Sequence, residues 1–158
     1  MLRFTVEVMG EEQVLRAFSR FGDAVKDLTP FWPTIADDFR ELEEKQFDTQ
    51  GGSGSGGWTA LSPAYATWKA RHYPGKGILV RTGALRSSLT TGGAGHIEKK
   101  SADRLEIGTS VPYAIYHQKG TRKMPKRPPV ELSEADKMRW SKALHKFLIS
   151  EAKKEGLL

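Results

Sequence analysis

The chain has 158 residues, and 38% hydrophobic and 9% aromatic content suits one packed core and is too high for a disordered polymer. It has no cysteine, which excludes disulfide staples, thiolate metal sites and cysteine nucleophiles. The net charge of +6 is uneven: residues 1–60 hold 6 Lys/Arg and 11 Asp/Glu, a net of −5, whereas residues 61–158 hold 19 and 8, a net of +11. Such a split suits head-to-tail packing of copies or a basic face turned to nucleic acid, and an unevenly solvated surface is the plain alternative.

One domain over residues 1–158 is expected. Residues 2–8 alternate, with Leu2, Phe4, Val6 and Val8 on one side, and predict a half-buried strand. Residues 11–27 show helical spacing through Val14, Phe18, Phe21 and Val25, with Glu11 and Glu12 at the start, where negative charge is favourable. Thr29-Pro30 reads as a cap followed by a first-turn proline and predicts a helix over about 30–48. Its apolar stripe runs through Ile35, Phe39, Leu42 and Phe47. Asp37, Asp38, Arg40, Glu41, Glu43, Glu44 and Lys45 are assigned to wet faces.

Residues 49–57 are a Gly/Ser-rich segment expected to be a flexible loop with no core. Ser62-Pro63 repeats the cap-plus-proline start and predicts a helix to about residue 71. Thr82 caps a short helix containing Leu85 and Leu89, and residues 90–95 form a second flexible stretch. His96–Lys99 and Arg104–Gly108 read as a β-hairpin about Ser101–Asp103. Val111-Pro112 opens a turn or short helix through Tyr116, and residues 119–129, with three prolines and no acid, form a basic loop. Ser133, with Asp136 three residues on, starts a last helix whose buried stripe is Trp140, Leu144, Phe147 and Leu148. The expected fold class is therefore α+β: a small antiparallel sheet packed with several helices, long ones at either end of the chain, joined by Gly-rich loops.

Few residues offer a chemistry. His72, His96, His117 and His145 are scattered, without His-x-His or His-Glu-x-x-His spacing, so neither a metal site nor a cofactor is expected. No nucleophile elbow or phosphate loop is present. Asp37, Asp38, Glu41 and Glu44 could line one helix side as acid–base pairs do, but a solvated face has the same spacing. Lys119, Arg122, Lys123, Lys126 and Arg127 put five cations in nine residues, a patch able to contact phosphates or an acidic protein neighbour. The absence of interleaved aromatics in that loop argues against base stacking, and no sequence-reading DNA motif is visible.

Two blocks carry a resemblance. The first holds Trp58, Leu61 and Ser62, then Ile78, Leu79, Thr82, Gly83, Leu85 and Arg86. The second holds Ile107-Gly-Thr109, Tyr113-Ala114, His117-Gln118, Gly120 and Arg127-Pro128. In this order and spacing the chain resembles the phage virion morphogenesis, or tail-completion, family (Mu protein G-like). The Gly/Ser richness before Trp58 and the pair Pro129-Val130 depart from that pattern.

The resemblance implies a non-enzymatic structural protein of the virion neck or tail, made in the host cytoplasm, with no membrane partner. It implies a homo-oligomeric ring, for which a hexamer is favoured, that joins neighbouring head–tail connector and tail proteins and encircles DNA without reading its sequence. Trp58, Thr82, Gly83, Leu85, Arg86, Tyr113, His117 and Gly120 are then fold or interface determinants. Two rival readings are a DNA-binding accessory protein using Lys119–Arg127, and a hydrolase pairing His117 with a carboxylate.

Overall fold

A computed structural model describes residues 11–54 and 56–158, the side chains of Glu11 and Glu12 excepted. The strand expected over 2–8 lies outside them. The described elements are α1 (Glu11–Lys26), α2 (Trp32–Asp48), α3 (Pro63–His72), α4 (Ala84–Thr90), β1 (His96–Lys100), β2 (Leu105–Thr109), α5 (Ala114–Lys119) and α6 (Glu134–Lys154). The strands pair antiparallel, with His96 opposite Thr109 and Lys100 opposite Leu105. This is the α+β arrangement expected, and the hairpin differs from its predicted bounds by one residue at each strand's C-terminal end and at the start of β2.

The core forms where α2, α4 and the hairpin meet. Phe39, Phe47, Trp58, Leu85, Leu89 and Ala114 are buried together. Each of the two α4 leucines contributes roughly 2 kcal/mol by its removal from water. A smaller apolar contact joins Phe31 to Phe147 of α6, with ring centroids 5.4 Å apart. Polar bonds hold the same layers: Arg139 of α6 donates to Asp38 of α2 at 2.8 and 3.1 Å, and Trp140 Nε1 donates to the same carboxylate. Asp38, assigned to a wet face, thus ties the two long helices together. Burial alone would raise its pKa, but the bonds from Arg139 and Trp140 outweigh burial and hold it below the ordinary value.

Several expectations need correction. Glu43 is only 1% exposed and lies on the core face of α2, one turn from both Phe39 and Phe47. The 3.6-residue repeat places positions 39, 43 and 47 on a single stripe, and the chain keeps a carboxyl there. The stripe of α1 is largely exposed: Phe18 retains 59% of its surface, and Val14 and Val25 are also open. Among the named elements α1 packs chiefly on α6, so one narrow strip around Ala17 is covered and the rest of the apolar face meets solvent.

The second helix starts two residues later than Thr29-Pro30 suggested. The N–H groups of Phe31 and Trp32 both donate to Leu28 O, which makes a turn ahead of it. Nor does the Gly/Ser segment lack order throughout. Gly51 is buried, its N–H donates to Gln46 O at 2.8 Å, and a Cβ there would stand 2.5 Å from the Trp58 ring. At the last helix the sequence signal holds: Asp136 N–H donates to Ser133 Oγ at 3.1 Å and Ser133 N–H returns to Asp136 at 2.9 Å, a reciprocal cap. Its stripe of Trp140, Leu144, Phe147 and Leu148 is half-buried.

Candidate interaction site

Residues from both sequence blocks converge on one place. Trp58 stands edge-on to Phe47, 5.4 Å between centroids, and its Nε1 donates to Pro128 O at 2.9 Å. Gln46 donates to the same carbonyl at 3.3 Å. Arg127 turns inward, donating through Nε to Thr59 O at 2.6 Å and through an Nη to Ala60 O at 2.8 Å. Its own N–H donates to His117 O at 2.9 Å. Gln118 grips Val130 at both ends, its amide donating to Val130 O at 2.8 Å and accepting Val130 N–H at 3.2 Å. Gly120 turns the chain with φ +73°, and a Cβ there would meet Lys126 N at 2.9 Å. The His-Gln-x-Gly and Arg-Pro pieces are therefore two sides of one clasp that fastens the segment after α5 to the segment after Trp58.

In front of this clasp opens a cleft of about 510 Å³. Tyr65 and Lys69 of α3 line it, together with Tyr113 and His117. Leu79, Arg81, Thr82 and Gly83, from the segment ahead of α4, and Lys123, Met124 and Pro125 complete the lining. The turn ahead of α4 is special in its backbone: Leu79 has φ +60° and Gly83, at the N-cap, φ +92°. The cap is thus Gly83 rather than Thr82, whose hydroxyl accepts only a long bond, 3.4 Å, from Ala84 N–H.

The cleft is basic, and no acid lines it among the described residues. Lys69 is 4% exposed, and its ammonium donates to Gly77 O. Arg127 is 6% exposed. Burial pulls both groups below their ordinary pKa ranges. His117 is held low by burial first and then by the charge of Arg127, and its buried Nδ1 has no hydrogen-bond partner. Tyr113 meets the imidazole edge-on at 6.0 Å. Among the described residues no carboxylate lines the cleft beside His117.

The remaining predicted residues separate cleanly. Lys119, Arg122, Lys123 and Lys126 are exposed, with no carboxylate partner among the described residues. Arg127 leaves that group, because it is buried and its Nε and one Nη donate to backbone carbonyls inside the fold. Leu85 is core, and Arg86 pairs with Asp48 at 2.7 Å. Of the acidic set on α2, Asp37 pairs with Arg40, Glu44 lies 3.7 Å from Arg86, and Asp38 ties α2 to α6. Among the described residues no group of three or more His, Cys, Asp or Glu side chains could hold a metal. Sequence reasoning missed Tyr65, Lys69 and Arg81. Nothing in the spacing of α3 marks Lys69 as buried, whereas Arg81 lies inside the first motif block.

No curated protein and no solved structure matches the chain. Residues 9–148 match the phage virion morphogenesis family, a span that takes in Trp58, the cleft and the clasp. By that match the chain belongs to the phage virion morphogenesis family.

Proposed function

We propose that this protein is a non-enzymatic component of the phage neck or tail end, assembling as a ring that completes the tail and joins it to the head. The observation that carries this reading is the use made of the motif residues. Trp58, Arg127, Gln118 and Gly120 hold backbone to backbone, and the cleft that Arg127 lines presents cations and tyrosines. The acid-rich first third and basic remainder suit the heterologous, head-to-tail contacts that close a ring by rotation. A hexamer is the expected closure.

The mass of the purified protein in solution, with imaging of particles carrying a labelled copy, tests the proposal. A ring at the neck or tail tip, and unjoined heads and tails when the protein is deleted, are the expected results. A protein missing from purified virions, whose deletion leaves head–tail joining intact, would overturn it. A second reading rests on the open cations Lys119, Arg122, Lys123 and Lys126, which could contact DNA without sequence preference. Replacing Lys123 and Lys126 with Ala should then weaken DNA binding and flatten its salt dependence.

A further inference from the structure

We infer that the cleft between α3, α5 and the 123–127 segment is a docking site for an acidic peptide segment of another protein, one that presents a carboxylate beside an apolar side chain. The inference rests on the assembly role proposed above for the kind of partner, a protein chain, and on the cleft itself for its chemistry.

Two features of the cleft select this occupant. The first is unbalanced charge. Lys69 and Arg127 are buried cations answered only by backbone carbonyls, those of Gly77, Thr59 and Ala60. Carbonyl dipoles satisfy hydrogen bonds but do not neutralise charge, and a buried ion without a counter-charge is costly. Arg81 and Lys123 add exposed positive charge at the same opening, and no Asp or Glu among the described residues lines it. An incoming carboxylate supplies the missing counter-charge and gives charge-assisted hydrogen bonds, which are the strong ones. It would also favour the imidazolium of His117, whose Nδ1 lacks a partner.

The second feature is the apolar wall. Leu61, Leu79, Met124 and Pro125 line the cleft together with Tyr65 and Tyr113, both of which keep about 40% of their surface exposed. Tyrosine and arginine around a concave apolar site are typical of the residues that dominate protein–protein binding. A DNA duplex presents its phosphates outermost and keeps its bases stacked inside, so it offers no aliphatic side chain that reaches into such a wall. A glutamate flanked by leucine fills both halves. A protein segment is therefore favoured over nucleic acid.

The test uses the full chain in solution and two peptides, Ac-Ala-Leu-Glu-Leu-Ala-NH2 and the same sequence with Gln for Glu. NMR follows the Met124 methyl and the His117 imidazole. The Glu peptide should shift both signals saturably with a Kd on the order of 1 mM, and the Gln peptide should bind about tenfold more weakly. The titration midpoint of His117 should rise on binding the Glu peptide. Lys123→Glu, an exposed change that leaves the clasp intact, should weaken binding about fivefold.

Equal binding of the two peptides, or no saturable shift with either, would overturn the inference. So would inorganic phosphate or a random-sequence DNA duplex moving the same signals more tightly than the Glu peptide. Signals that move on dilution without peptide would replace the foreign partner with a second copy of this chain. Failure here leaves the ring reading standing, since that is read from particle mass. A monomer that still selects the Glu peptide would remove the ring alone.

Discussion

Glu43 is the sharpest test of the packing described. Its side chain lies between Phe39 and Phe47 on the core face of α2, and Oε2 has no hydrogen-bond partner. Burial pushes its pKa from 4.5 up to about 8. The fold therefore favours the protonated acid, while the unfolded chain ionises it near 4.5. Stability from this group is complete below that value, declines as pH rises, and levels off near 8. Each pH unit in the window costs about 1.4 kcal/mol, so the loss approaches about 3 kcal/mol by pH 7 and about 5 kcal/mol at most over the span from 4.5 to about 8.

Glu43→Gln keeps the shape and removes the titration. Urea unfolding, followed by tryptophan fluorescence across this window, should show the variant gaining on the native chain as pH rises, by about 2–3 kcal/mol near neutrality. His117 titrates in the same range with the opposite slope, since its lowered pKa weakens the fold as pH falls below 6.5. Both proteins carry it, so the difference between them cancels it. A gap between native chain and variant that does not change with pH would refute the reasoning, because a buried carboxyl that ionises at its ordinary pKa yields no slope.

Other perturbations follow from the clasp and the helix tie. Gly120→Ala must accept φ +73° and a Cβ 2.9 Å from Lys126 N, so a loss of about 2 kcal/mol is expected in chemical denaturation. Arg127→Lys keeps a positive charge but not the fork that reaches Thr59 O and Ala60 O together, and it should cost about 2 kcal/mol by the same measurement. Asp38→Asn weakens the bonds from Arg139 and Trp140. Because the carboxylate's pKa is depressed, its contribution is present above 3.8 and lost as pH falls through its folded value, so native chain and variant should converge in acid.

Much of the architecture was legible in the chain. Ser133 and Asp136 announce the last helix because a reciprocal cap needs only local residues three apart. The hairpin shows because strands on either side of Ser101–Asp103 alternate and turn within a few residues. What sequence could not show is which helix faces find partners. Positions 14, 18 and 25 have the spacing of a buried stripe, yet they lie open because α6 covers only part of α1. Glu43 has the opposite problem: its charge reads as wet, and only tertiary packing on the core face of α2, where α4 docks, buries it. The cleft was half visible. Tyr113, His117 and the loop cations stand in the motif, but burial of Lys69 and the inward turn of Arg127 depend on carbonyls contributed from distant positions, and spacing does not encode those.

Trp58 and Gln46 both donate to the carbonyl of Pro128, while Gln118 holds Val130 from the other side. The segment carrying Lys123 and Lys126 is thus fastened downstream by the fold itself. A loose loop that had to be arranged by its partner would lose roughly 1 kcal/mol or more of affinity for each residue set in place. Here part of that arrangement is made when the chain folds, since Thr121 and Met124 bond each other through their backbones and Arg127 N–H donates to His117 O. For any partner of this segment, what is left to order on binding is the long exposed side chains, a smaller entropy cost than ordering the backbone as well.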